Sequence, residues 1–151
     1  MSPVPDDLAY WFNKAKHDLN LGITIHAGET GNINNILVAI NQFGADRIGH
    51  GTAAMNCIDT MDLLRTRDIA VEVCPISNRR TNSIKEDDAY TFHKFMEHNV
   101  PFILCSDNPA IHKLSLVDDY RVFLYETQDL SFILNQFTLQ KKYSFINPNP
   151  A

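Results

Sequence analysis

The chain has few cysteines: of its 151 residues only Cys57, Cys74 and Cys105 carry a thiol. An odd number of widely spaced thiols does not make a disulfide frame and fits a reducing compartment. No apolar run approaches the roughly 20 residues of a membrane span. The opening MSPVPDDLAY lacks a charged stretch leading into an apolar one, so no secretory signal is expected. A cytoplasmic location is the expectation. Basic runs are missing as well: 13 Lys plus Arg stand against 18 Asp plus Glu, a formal charge of −5. That balance argues against nucleic acid or a membrane surface as partner. No repeat or low-complexity tract stands out.

What is present is ordinary globular composition, 44% hydrophobic and 21% charged, with enough length for one domain spanning residues 1–151 and a sizeable core. Strand and helix patterns alternate. A helix is predicted over Asp6 to Leu21, with Leu8, Trp11, Phe12, Ala15 and Leu19 at helical spacing, then a strand over Ile23 to His26. Ile33, Ile36, Leu37 and Ile40 mark the next helix and Arg47 to Gly49 the next strand. Ile58 to Arg67, the apolar run Ile69 to Cys74, Asp87 to His98 and Val100 to Cys105 continue the alternation. Two helices follow, near Leu116 to Thr127 and Leu130 to Lys142, with Phe132, Leu134, Phe137 and Leu139 read as core or cover. Unbroken apolar strands separated by helices imply an α/β fold with parallel strands covered on both faces. In such folds chemistry gathers beyond the carboxyl ends of the strands.

Those ends read His26-Ala27-Gly28-Glu29, Gly49-His50-Gly51, Cys74-Pro75-Ile76-Ser77-Asn78 and Ser106-Asp107-Asn108-Pro109. Each polar residue has a plain explanation when taken singly. His26 could be a satisfied strand-end histidine, Glu29 a first-turn carboxylate, Asp107 a helix cap or turn residue. His50 between two glycines is odder, because such a stretch packs poorly and glycine lets a backbone or ligand come close. Together they suggest a shared site, since imidazole and carboxylate are zinc donors and a nearby carboxyl can carry a proton. Arg79 and Arg80 follow the third strand as a solvated loop, or as partners for a substrate phosphate. His93 and His98 read as helix-surface or packing residues. His112 falls just beyond the last strand. Cys74 and Cys105 read as small buried apolar groups.

Four stretches taken in order, T-I-H-A-G-E at 24–29, R-I-G-H-G at 47–51, V-E-V-C-P-I-S-N at 71–78 and S-D-N-P at 106–109, resemble the adenosine deaminase family of metal-dependent amidohydrolases. Asp119-Tyr120-Arg121 is similar to the family's region after its last strand. The resemblance implies a (β/α)8 TIM barrel, of which the present strands match the fifth to the eighth, a half-barrel. It implies that His26 and Asp107 are ligands of one zinc ion and that Glu29 protonates the purine ring nitrogen beside the attacked carbon. It further implies that His50 orients or deprotonates the attacking water and that Asp107 also touches it. Asn108 stands where the family usually carries a second Asp facing the purine's imidazole nitrogen; an amide can donate a hydrogen bond there. The family's opening His-x-His pair has no match, so the ligand set is incomplete. The implied activity is zinc-dependent deamination of an adenine-containing nucleoside or nucleotide, by an enzyme of which this chain is a fragment, one half of a two-chain barrel (with a companion amino-terminal half-barrel chain) or a self-associating half-barrel, and not competent by itself. The alternatives are a noncatalytic half-barrel acting as a binding or regulatory subunit, and a different metal-dependent hydrolase or small doubly wound domain.

Overall fold

The computed structural model describes residues 6–146. It contains α1 (Asp6–Asp18), β1 (Thr24–Ala27), α2 (Ile33–Asn41), β2 (Arg47–His50), a 3-10 turn (Thr52–Asn56), α3 (Ile58–Thr66), β3 (Ala70–Val73) and α4 (Pro75–Arg80). Then come α5 (Thr91–Glu97), β4 (Phe102–Leu104), α6 (Pro109–His112), α7 (Leu116–Thr127) and α8 (Leu130–Lys142). Among the described residues no helix is long and apolar enough to cross a membrane.

All neighbouring strands are parallel and their order is β1-β2-β3-β4. A doubly wound sheet reverses its order at a switch point; this one does not, so the strands follow one another as consecutive staves of a barrel. One sheet face meets the helices. Ala27, Ile48, Val71, Val73, Phe102 and Leu104 pack there with Ile36, Leu64, Phe92, Phe95 and Phe123. Fully burying each such side chain removes apolar area worth roughly 1.5–3 kcal/mol. The other face carries Ala70 and Ile103, with Leu139 of α8 and Tyr143 just beyond that helix lying against them, and the polar residues Thr24, Arg47 and Glu72. Glu72 Oε1 accepts from Thr24 Oγ1 at 3.1 Å and lies 2.7 Å from Arg47 Nε.

Helix α8 straddles the outer rim of β4. Its Phe132 stacks on Phe102 and Phe123 on the helical side, while Leu139 and Tyr143 reach the opposite face. Between them lies the buried Gln136. The Cys105 N–H turns toward β3 and donates to Val73 O at 2.8 Å. The preceding N–H, of Leu104, therefore faces the rim, where Gln136 Oε1 accepts it at 2.9 Å. Beyond α8, Arg47 donates to Tyr143 O at 2.6 Å, and its guanidinium covers the Phe145 ring.

Several boundaries differ from the sequence expectation. The first helix stops at Asp18 because Asn20 takes a left-handed φ of 52°, and Leu8, Trp11 and Leu19 stay exposed while Phe12 and Ala15 pack. Pro75–Arg80 forms a helix started by its proline, as suits a residue that needs no intrahelical N–H partner. The fifth helix begins at Thr91 rather than Asp87. Residues 85–90 are held as a loop instead: Arg79 donates to the carbonyls of Lys85 and Asp88 and lies 4.2 Å above the Tyr90 ring. Leu134 and Phe137 on α8 are exposed rather than core.

Candidate active site

The carboxyl ends of the strands build the site. His26 on β1 sits in register with Gly49 on β2. A Cβ added at Gly49 would stand 2.3 Å from His26 Cδ2, so the glycine makes room for the imidazole to lie across the neighbouring strand. That is the packing reason behind the first glycine of the G-H-G stretch. His50 ends β2 with a φ of 61°, a left-handed conformation costly for a non-glycine residue and concentrated at functional sites. It is buried, and its ring stands edge-on to His26 with centroids 4.7 Å apart. Asp107, just beyond β4, is also left-handed, at 55°.

His26, His50 and Asp107 line one cavity of about 470 Å³, with Glu72, Cys74 and Cys105 on its wall and Gln140 of α8 opposite. Glu29 is not among its lining residues. It borders a neighbouring groove beside Thr81 and Ser83, and its Oε2 reaches to 3.9 Å from His50 Nε2, within ion-pair range but beyond hydrogen-bond length. Asn108 is exposed and caps α6, its Oδ1 accepting from Ile111 N at 3.1 Å; the capped oxygen leaves the Nδ2 hydrogens for other acceptors. Three of the five expected residues thus share a cavity, a fourth meets it through His50, and the fifth, Asn108, is not among its lining residues but follows Asp107 directly in the chain.

Residues given no role from sequence hold these groups. Ser77 Oγ donates to Asp107 Oδ2 at 2.6 Å, and His112 Nε2 lies 3.7 Å from the same oxygen. Asn78 Oδ1 lies 2.8 Å from His50 Nδ1. Buried Asp119 accepts from the Ile76 N–H at 3.0 Å, anchoring the first turn of α4. The signal for Ser77 and Asn78 was their place immediately after an apolar strand. Neither arginine of α4 is a free phosphate partner: Arg79 clamps the 85–90 loop and Arg80 donates to His112 O at 2.5 Å. Cys74 is buried and Cys105 partly so. Burial pushes both thiols up, Cys105 to about 12, which leaves them protonated and inert.

The Ser77 hydroxyl, more than any other group, holds the Asp107 carboxyl below the ordinary carboxylate range; burial opposes it, and His50, His112 and His26 add to the lowering. A carboxylate whose folded pKa is depressed contributes stability above its unfolded value, about 3.9, and loses it as pH falls through the folded value. Ser77→Ala is therefore expected to be destabilised at pH 7, with the difference from wild type shrinking as pH drops below about 4. Urea unfolding at both ends of that window checks it; a pH-independent difference would show that Ser77 acts through packing alone.

The donor chemistry of His26 and Asp107 suits zinc. Among the described residues, however, no group of three or more His, Cys, Asp or Glu side chains is placed to hold a metal ion. A second cavity, of about 430 Å³, opens at the amino ends of the strands. Four of its charges are paired, Lys16 with Asp46 and Lys142 with Asp68, each at 2.7 Å, Arg67 donates to Asn41 Oδ1, and the cavity carries no comparable constellation.

The sequence profile of the adenosine deaminase family matches residues 2–138. An adenosine deaminase from Clostridium acetobutylicum is 39% identical over 114 residues, 76% of this chain and 32% of that protein. One from Pseudoalteromonas translucida is 35% identical over 118 residues, 78% of this chain and 35% of that protein. Among solved structures, the N6-methyl-AMP deaminase from Arabidopsis thaliana superposes with a TM-score of 0.76 at 27% identity, covering 87% of this chain and 38% of its own. An amidohydrolase from Burkholderia ambifaria, solved with bound zinc, superposes with a TM-score of 0.81 at 18% identity, covering 97% and 42%; that likeness shows the fold alone. The four parallel strands are those of a TIM-barrel half. The chain spans about a third of the length of the curated relatives it matches.

Proposed function

Because this chain belongs to the adenosine deaminase family, we propose that it supplies the carboxyl-terminal part of a hydrolytic deaminase acting on an adenine-containing nucleoside or nucleotide. The observation that carries this reading is the convergence of His26, His50 and Asp107 on one cavity at the carboxyl ends of the strands. His26 and Asp107 would hold a single zinc ion. Zinc bound there supplies Lewis acidity that brings the pKa of water to roughly 7. The rest is done by the chain's own groups. His50 takes a proton from the attacking water through Nε2, the ring nitrogen that faces Glu29. Glu29 passes a proton to the ring nitrogen beside the attacked carbon, which lets that ring accept the electron pair displaced by attack. Asn108, its oxygen committed to α6, donates through Nδ2 to the purine's imidazole nitrogen. The exocyclic amine then takes up the proton held by His50 and leaves as ammonia, while the new hydroxyl gives its proton back to Glu29 and becomes the carbonyl.

Two protein donors fall short of the three a catalytic zinc site normally has. The remaining ligands are proposed to come from an amino-terminal segment bearing His-x-His, or from a second chain. The expected result is no ammonia from adenosine with the 151-residue chain and zinc alone, and release once a companion carrying His-x-His is added. His26→Ala and Asp107→Ala should each abolish zinc binding in that assembly. If zinc changes neither stability nor activity of the assembly, the deaminase reading fails.

One observation favours a second reading, a noncatalytic half-barrel with a binding role. Leu139 of α8 and Tyr143 just beyond it already cover part of the sheet face turned away from the other helices, and Gln136 occupies the rim of β4. A chain that makes no complex with any His-x-His companion yet retains purine nucleoside binding would support that reading over the first.

A further inference from the structure

The stretch Val71–Asn78 ends in two residues that the proposed chemistry leaves idle, Ser77 and Asn78, and they are 1% and 0% exposed. Polar side chains are rarely buried so completely without a partner that matters. Here the partners are the two left-handed site residues, Asp107 and His50. We propose that the first turn of α4 is the positioning element of the site, and that Asn78 fixes the tautomer of His50.

A carboxamide oxygen can only accept. With Asn78 Oδ1 at 2.8 Å from Nδ1, the hydrogen of the neutral imidazole sits on Nδ1, and Nε2 presents its lone pair. Nε2 is the nitrogen directed at Glu29, 3.9 Å away. The hydrogen bond made by one ring nitrogen thereby decides what the other can do. An imidazole whose hydrogen sat on Nε2 could not take a proton there.

Asn78 is itself held in place. Pro75 starts the helix, and the Ile76 N–H is fixed by buried Asp119. The Asn78 backbone N–H donates to Cys74 O at 2.9 Å, and its carbonyl accepts from Ile84 N at 3.0 Å and Ser83 Oγ at 3.1 Å. Asp119 thereby holds the turn that carries Asn78 to His50. Rotating the Asn78 amide by half a turn would aim its NH₂ at Nδ1 and move the ring hydrogen to Nε2, so the two arrangements predict opposite tautomers. The catalytic meaning of the tautomer rests on the deaminase reading, but the tautomer itself does not.

The test uses the 151-residue chain with ¹⁵N-labelled histidine, without metal or turnover. Long-range ¹H–¹⁵N correlations are recorded at a pH where the imidazoles are neutral, and His50 is assigned by its loss in His50→Gln. Wild type is expected to show a protonated, pyrrole-type Nδ1 and a bare, pyridine-type Nε2. Asn78→Asp, which keeps an acceptor, should retain the hydrogen on Nδ1. Asn78→Ala should shift the pattern toward Nε2–H or to an average of the two. An Nε2–H tautomer in wild type overturns the proposal, as does an Asn78→Ala spectrum unchanged from wild type. Should Asn78→Ala not fold, wild type and Asn78→Asp decide it. Failure of deamination in a completed barrel would leave the tautomer result standing, so the two failures are distinguishable.

Discussion

Glu29→Gln is expected to keep the fold and the zinc of a completed barrel while lowering turnover by a factor on the order of 10²–10⁴, the usual contribution of general acid catalysis. The separation follows from where the side chain lies. Glu29 stands outside the cavity shared by His26 and Asp107 and touches that site only through His50 Nε2, 3.9 Å from its Oε2. The side chain is about one-third exposed, so an amide of the same shape costs little packing. What the amide lacks is a proton it can give up. The measurement pairs ammonia release with metal analysis of the same sample: full zinc with near-normal turnover would remove Glu29 from the proton-transfer role, and lost zinc would place it in the ligand set.

Gly49→Ala should produce the inverse pattern, a near-normal fold with a displaced ligand. The added methyl would stand 2.3 Å from His26 Cδ2. The conflict is with an exposed side chain rather than with backbone, so His26 can swing away and stability changes by about 1 kcal/mol or less, below the usual overpacking range. The metal site should not recover as easily. Altering a group that orients a ligand typically costs roughly 10–100-fold in metal affinity. Zinc titration of the completed barrel should register that loss while urea unfolding of the isolated chain stays close to wild type. Unaltered zinc affinity would mean that the ring position set by Gly49 has no bearing on binding.

Much of the site was legible because its residues close apolar strands. His26, His50 and Asp107 follow runs whose direction is fixed by burial, and parallel strands bring their carboxyl ends to one rim. What could not be read depends on contacts between distant segments. Helix α4 has no apolar periodicity, only a proline start and a first turn anchored by Asp119, some 40 residues away. Asp87–Tyr90 continues a helical pattern locally, but Arg79 takes the carbonyls that a loop exposes there. The apolar residues of α8 do not mark one buried stripe because the helix crosses from one side of β4 to the other. Phe132 and Leu139 find cores while Leu134 and Phe137 do not. The partners of His50 and Asp107, contributed by α4, were hidden for the same reason: a hydrogen bond spanning about 30 positions leaves no periodic trace.

The amide of Gln136 has a consequence for how copies of this chain can associate. A parallel sheet grows indefinitely only if the last strand of one molecule can accept the first strand of the next. In this fold the Leu104 N–H of β4 is taken from within the chain by Gln136, whereas Thr24 and His26 on β1 are exposed residues. A strand joining at β4 would first have to displace the Gln136 amide, whereas one joining at β1 meets no such obstacle among the described residues.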